Sequence, residues 1–149
     1  MQVQEIMTSN PKCAEPSTPL QDVARMMLEF DCGGIPVCQP GTKRLIGFLT
    51  DRDIVIRSLA RGMDPMQMTA QDVMTTDLHT VRPSDSVDTC IQTMQKYKVR
   101  RVPVTNDQGE IVGIVSQADL VRRAAMEQPE LAEEVEEMLE LVSEPKAAI

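Results

Sequence analysis

Two short motifs carry the side chains best suited to chemistry. Thr50-Asp51-Arg52-Asp53 and Ser116-Gln117-Ala118-Asp119 each set a hydroxyl three residues ahead of a carboxylate. At a helix start that spacing makes a capping box, in which the two side chains satisfy each other's backbone N–H groups. The same pair offers a ligand a carboxylate that accepts hydroxyls and a hydroxyl that both donates and accepts. A second constellation is basic. Lys98-Val99-Arg100-Arg101 sets two guanidinium groups ahead of Val102-Pro103-Val104, and guanidinium matches phosphate oxygens in geometry and charge. Thiols occur at Cys13, Cys32, Cys38 and Cys90 without C-x-x-C spacing, and His79 is the single histidine. A structural zinc site needs four such ligands at short spacings, so no metal is expected. No nucleophile–base pair and no phosphate-cradling glycine loop is evident, so an enzyme is not expected.

Composition narrows the partners. The chain has 149 residues, 42% hydrophobic and 26% charged, as a soluble globular protein has. Its net charge is −8. From Glu127 onward there are eight Glu against one Lys, so the body is nearly neutral and the tail acidic. Phe30, Phe48 and Tyr97 are the whole aromatic complement. Acidity and the scarcity of rings both argue against nucleic acid, which needs cations for phosphates and aromatic faces for bases. No apolar run approaches the ~20 residues of a membrane span. The N-terminus has neither the basic region nor the apolar stretch of a signal peptide. A cytoplasmic protein without membrane contact is expected.

The elements that must position these motifs occur twice. Ile6-Met7-Thr8 matches Val73-Met74-Thr75, and the same offset of 67 residues carries Pro16 onto Pro83, Met27 onto Met94 and Ile35-Pro36-Val37 onto Val102-Pro103-Val104. After one lost residue, Gly47, Thr50 and Asp53 fall on Gly113, Ser116 and Asp119. Each copy reads strand, helix, strand, strand, helix. The first strands are Lys12-Cys13-Ala14 and His79-Thr80-Val81. The next helices carry Leu20, Val23, Ala24, Met27 and Phe30, or Val87, Cys90, Ile91, Met94 and Tyr97, at helical spacing. Thr18 with Gln21 predicts a capping box for the first, and Asp85 a cap for the second. Hairpins follow, with turns at Pro40-Gly41 and Asn106-Asp107-Gln108-Gly109. Closing helices are predicted over 51–61 and 117–126. The domain reading is copy one at 1–61, a linker at 62–72, copy two at 73–126 and an acidic amphipathic helix within 127–149. Neither copy is large enough to close a core alone, so an α/β (α+β) pseudo-twofold pair is expected. In the tail, Leu131, Val135, Met138, Leu139 and Val142 share one helical face.

These residues resemble a family, the cystathionine-β-synthase (CBS) domain pair or Bateman module, over roughly residues 3–126. The carriers are the two Met-Thr openings, the two hydrophobic-Pro-Val strands, and Gly47-Phe48-Leu49-Thr50-Asp51-Arg52-Asp53 with Gly113-Ile114-Val115-Ser116-Gln117-Ala118-Asp119. The resemblance implies a standalone bacterial-type regulator that binds an adenine nucleotide (AMP, ADP or ATP) or S-adenosylmethionine. It implies that the Thr/Ser-x-x-Asp motif holds the ribose, and that each cleft draws on both copies. Carried over by residue, cleft one takes Thr50 and Asp53 with Leu78, His79, Thr80, Val81, Val99, Arg100, Arg101 and Pro103. Cleft two takes Ser116 and Asp119 with Lys12, Cys13, Ala14, Gly33, Gly34 and Pro36.

On this carry-over the arginines make cleft one the phosphate site. Gly33-Gly34 offers cleft two no cation, so cleft two is the weaker, and Asp53 is expected to matter more than Asp119. The resemblance also implies a homodimer associating through its helices and a regulated protein partner whose identity the sequence does not give. Within the family's small sheet, Cys13 and Cys38 lie on neighbouring strands. A Cys13–Cys38 disulfide therefore belongs to the alternative reading, a ligand-free, redox-responsive stress or interaction protein.

Overall fold

The computed structural model describes residues 1–144, apart from the side chains of residues 124 and 125; the last five residues of the expected acidic tail lie outside the described residues. In chain order the elements are α1 (Val3–Ile6), β1 (Thr8–Ser9), α2 (Leu20–Glu29), β2 (Gly34–Cys38), β3 (Leu45–Thr50), α3 (Asp51–Ile56), α4 (Ala70–Val73), α5 (Val87–Tyr97), β4 (Arg101–Thr105), β5 (Ile111–Ser116), α6 (Gln117–Asp119), α7 (Ala125–Glu127) and α8 (Ala132–Ser143). Helix, hairpin and second helix thus recur in both copies, in a mixed α/β fold.

The structure corrects several local expectations. The first strand of each copy is only a single parallel bridge, Ala14 with Val37 and Val81 with Val104. Pro11 and Pro16 flank the one and Pro83 follows the other, and proline has no N–H to extend a ladder. Thr18 does not cap α2. Its hydroxyl accepts the Glu15 N–H at 2.9 Å, and Pro19 stands at the cap position without a side-chain bond. Asp85 behaves in the same way. Its carboxylate accepts the Arg82 N–H at 2.8 Å, while Ser86 caps α5 through the Thr89 N–H. Each closes the tight turn ahead of its helix, so the cap passes one residue on. The helix expected over 51–61 stops at Ile56 and resumes as a 3-10 turn at Leu59–Arg61. Ser58 donates its hydroxyl to the Ile54 carbonyl, which competes with backbone bonding there. The helix over 117–126 forms, but passes through a wide π-helical segment at Leu120–Ala124.

Two compact units form, and they do not coincide with the two copies. One unit comprises residues 1–10, 79–106 and 112–149; the other comprises 11–78 and 107–111. The openings are exchanged. α1 and β1 open copy one but fold with copy two: Val3 N–H donates to the Asp85 carbonyl, and Thr8 and Ser9 pair antiparallel with Ile114 and Gly113 in a sheet ordered β1-β5-β4. α4 precedes copy two but folds with copy one: Ala70 N–H donates to Thr18, Leu20 N–H to Met68, and Thr75 bridges to Phe48 beside the β2–β3 hairpin. The expected linker 62–72 is therefore in part core, because Met68 and Ala70 are apolar and buried with Leu20, Val23, Ile35, Val37, Leu49 and the following Val73.

The Met-Thr openings and the motif glycines explain one another. A Cβ on Gly47 would collide with the Met74 side chain, and one on Gly113 with Met7. Only a hydrogen at 47 and 113 lets the exchanged methionine lie flat on the strand. The tail helix also meets its expectation. Leu131, Val135, Met138 and Val142 are buried in one cluster with Cys90, Ile91 and Met94 of α5, and Leu139 is packed against it. Lys98 adds an ion pair to Glu144 at 2.8 Å.

Candidate functional site

Both hydroxyl–carboxylate motifs stand where a strand turns into a helix. Thr50 ends β3, and its hydroxyl accepts the Asp53 N–H at 3.2 Å while Asp53 Oδ2 accepts the Thr50 N–H at 2.9 Å. Ser116 ends β5, and its hydroxyl accepts the Asp119 N–H at 3.2 Å. Asp119 Oδ2 accepts the Ser116 N–H at 2.8 Å and lies 3.0 Å from the Ser116 hydroxyl. Both capping boxes exist. Each still leaves one carboxylate oxygen lightly engaged: Asp53 Oδ1 is 3.8 Å from Arg57 Nε, and Asp119 Oδ1 is 3.9 Å from Arg122 Nη2. At those distances the contact is Coulombic, and the oxygens keep lone pairs for a ligand's hydroxyls. The capping role fixes the carboxylate; it does not use it up.

The residue before each Pro-Val strand is tied to the motif of its own copy. Asp51 N–H donates to the Gly33 carbonyl at 3.1 Å, and Gln117 N–H donates to the Arg100 carbonyl at 3.0 Å. Gly33 and Arg100 are equivalent positions in the two copies. The Arg100 main chain therefore meets the turn that bears Ser116 and Asp119, and Arg100, Arg101, Ser116 and Asp119 all belong to one unit. The carry-over above had grouped Arg100 and Arg101 with Thr50 and Asp53. Thr50 and Asp53 lie in the other unit, and the Gln117–Arg100 bond is the contact seen within the arginines' own unit. Among the described residues, neither arginine side chain forms an ion pair.

The remaining candidates distribute as follows. Thr50, Asp53, Leu78, Lys12, Cys13, Ala14, Gly33, Gly34 and Pro36 belong to one unit; His79, Thr80, Val81, Val99, Arg100, Arg101, Pro103, Ser116 and Asp119 belong to the other. His79 stacks on Tyr97 with ring centroids 3.4 Å apart and planes 7° apart. Val81 N–H donates to Pro103, and Thr105 N–H donates back to Val81. Ala14 is held the same way between Pro36 and Cys38. Cys13 and Cys38 are free thiols here, not a disulfide, and the Cys13 S–H donates to the Pro11 carbonyl at 3.7 Å. Burial, with Asp119 nearby, pushes the Cys90 thiol up to about 12, so it stays neutral in its core.

Two residues escaped the sequence reading. Arg57 Nη1 donates to the carbonyls of Val73 and Met74, and Nη2 donates to the Thr75 hydroxyl, clamping α4 to α3 beside Asp53. Its spacing of four from Asp53 was the available signal. Gln117 Oε1 is buried and has no hydrogen-bond partner among the described residues. Nothing in its sequence position marks that.

Such a pair of copies, each presenting a hydroxyl and a carboxylate at a strand–helix turn, defines a class of tandem-repeat ligand-binding module. The CBS domain model matches residues 3–59 and 70–125, and the chain belongs to the CBS domain family. Hypoxic response protein 1 of Mycobacterium tuberculosis is 38% identical over 118 residues, which cover 79% of this chain and 81% of that protein. A crystal structure of Hypoxic Response Protein I with two coordinated zinc ions superposes with a TM-score of 0.74 at 36% identity, over 83% of this chain and 98% of that one. The CBS domain pair of protein MJ0100, solved in complex with 5′-methylthioadenosine and S-adenosyl-L-methionine, gives a TM-score of 0.73 at 25% identity, over 82% of this chain and 98% of that one. No catalytic family is indicated for this chain. Among the described residues, no group of three or more His, Cys, Asp or Glu is placed to hold a metal ion, and no helix is long and apolar enough to cross a membrane.

Proposed function

We propose that this chain is a regulatory module that binds a phosphorylated adenosine ligand (AMP, ADP or ATP) and passes its ligand state to a partner protein. The observation that carries the reading is the bond from Gln117 to Arg100. It ties the Arg100 main chain, with Arg101 next to it, to the turn that bears Ser116 and Asp119, and among the described residues neither guanidinium forms an ion pair. Asp119 then accepts the ribose hydroxyls, and Arg100 and Arg101 meet phosphate. At Thr50 and Asp53 the equivalent position is Gly33, which brings no charge. Arg57, which faces Asp53 Oδ1 at 3.8 Å, is committed to Val73, Met74 and Thr75. That motif suits an uncharged nucleoside or S-adenosylmethionine, the kinds of ligand held by the solved MJ0100 pair.

A thermal-shift series tests this with AMP, ADP, ATP, adenosine and S-adenosylmethionine. A ligand confined to the folded state adds about 2.7 kcal/mol of stability at a hundredfold excess over Kd. The expected result is a clear rise with a phosphorylated nucleotide, lost in Asp119→Asn and kept in Asp53→Asn. Asparagine retains a capping oxygen, so the fold survives. Equal loss in both variants, or no rise with any nucleotide, would refute the assignment.

The same reading includes a homodimer. Leu28 is 83% exposed and Leu59 62%, with Val55, Ile56, Met63 and Met66 also exposed in the unit that bears copy one. Equivalent α5 positions are covered by α8: Ile91 is buried where Ala24 is exposed, and Met94 where Met27 is half-buried. An apolar face of this kind supports association. Light scattering should give twice the 16.6 kDa chain mass, and Leu28→Glu with Leu59→Glu should give a monomer. A wild-type monomer at high concentration would sink the dimer.

A further inference from the structure

We propose that Cys13 and Cys38 form a hydroperoxide-reactive dithiol, in which Cys13 is the attacking thiolate and Cys38 the resolving thiol. The arrangement is fixed by backbone bonds. Ala14 N–H donates to the Pro36 carbonyl and Cys38 N–H to the Ala14 carbonyl, both at 2.9 Å. Ala14 and Val37 therefore face one side of the parallel bridge, and Cys13 and Cys38 both face the other. The ladder with β3 shifts register between Val37 and Cys38, and such irregularities re-aim a side chain. The two thiols are close enough to shift each other's titration, with the Lys43 ammonium nearby.

The two thiols are unlike in a way that assigns their roles. Cys13 is half-buried and reachable from solvent, whereas Cys38 is buried. The Cys13 S–H donates to the Pro11 carbonyl at 3.7 Å, and the Cys38 thiol with the Lys43 charge holds the Cys13 thiol below its usual range against the cost of burial. Cys38 is held well above that range, first by the neighbouring Cys13 and then by burial, so it keeps its proton. A thiolate is the nucleophile and a neighbouring thiol resolves it. The Cys13 thiolate attacks a hydroperoxide oxygen, the O–O bond breaks, and the alkoxide leaves as the alcohol after taking a proton. Cys13 is then a sulfenic acid. The Cys38 sulfur attacks it, the S–O bond breaks, and hydroxide takes the Cys38 proton to leave as water. Two thiols and one hydroperoxide become one disulfide, one alcohol and one water. The product staples residues 12–14 to β2.

The test is hydrogen peroxide titration of the full, ligand-free chain, with peptide mapping of the thiols over time. Exposed Cys32 is an internal reference. Cys13 should be consumed about tenfold faster than Cys32, and the product should be an intramolecular Cys13–Cys38 disulfide. In Cys38→Ser, dimedone should trap Cys13 as the sulfenic acid; in Cys13→Ser, Cys38 should stay unlabelled. Free Cys13 and Cys38 after Cys32 has reacted, or oxidation of Cys13 no faster than Cys32, would overturn the proposal. The wild-type mapping decides this even if a variant folds poorly. No nucleotide is present, so either result leaves the nucleotide reading where it stands.

Discussion

Met138→Ala should destabilise the protein by about 2–5 kcal/mol, read as a lower urea midpoint without change of slope. Met138 is fully buried, and its cluster joins α8 to Cys90, Ile91 and Met94 of α5. Removing its thioether leaves a cavity in the middle of the cluster that holds α8 against α5. Against a typical total stability of about 5–15 kcal/mol, that is a large fraction. Met138→Asp should go further, because it adds an unpaired carboxylate to an apolar core. The internal repeat supplies the control. Leu28 lies on the equivalent helix of copy one and is 83% exposed, so Leu28→Ala should cost within about 0.5 kcal/mol in the monomer. A Met138→Ala variant within that same margin of wild type would mean that α8 is not docked in solution.

The second large effect is on affinity. Replacing Arg100 and Arg101 together by Ala should weaken ATP binding by at least about a hundredfold and leave adenosine within about twofold. Each charge-assisted hydrogen bond to phosphate contributes about 1.5–3 kcal/mol, and about 1.4 kcal/mol is tenfold in Kd. The fold should persist, because the Arg100 bond to Gln117 runs through the main-chain carbonyl, which alanine keeps. Wild-type ATP affinity should also fall with added salt, and the double variant should lose most of that dependence. An equal loss for ATP and adenosine would place both arginines away from phosphate. So would an unchanged salt dependence. Isothermal titration with both ligands at two ionic strengths separates these outcomes.

Much was legible in the chain because it states its pattern twice. The offset of Ile6-Met7-Thr8 from Val73-Met74-Thr75, the doubled Pro-Val strands and the two hydroxyl–carboxylate turns are local features, and local features follow from spacing. A hydroxyl three residues before an aspartate caps a helix wherever a strand delivers it, so Thr50 and Ser116 did what their neighbours dictated. The apolar spacing of Leu131, Val135, Met138 and Val142 required an amphipathic helix in the same way. Caps were misread where two local bonds competed. Thr18 and Asp85 suited a helix start equally well, but each closes the preceding turn.

What needed tertiary structure was everything that depends on which segment lies beside which. Repetition makes the two openings chemically interchangeable, so the sequence alone cannot say that Met7 lies on Gly113 and Met74 on Gly47. The same degeneracy left the arginine pair free to be grouped with either carboxylate. The Gln117–Arg100 bond sets the Arg100 main chain at the turn that bears Asp119, which is what the proposed grouping rests on. The two thiols stand far apart along the chain and share no motif, yet the bridge of Ala14 to Val37 brings them to one side of a small sheet. Sequence spacing fixes what each segment can do through bonds of three or four residues; long-range pairing, where equivalent partners compete for the same place, is decided only when the core closes.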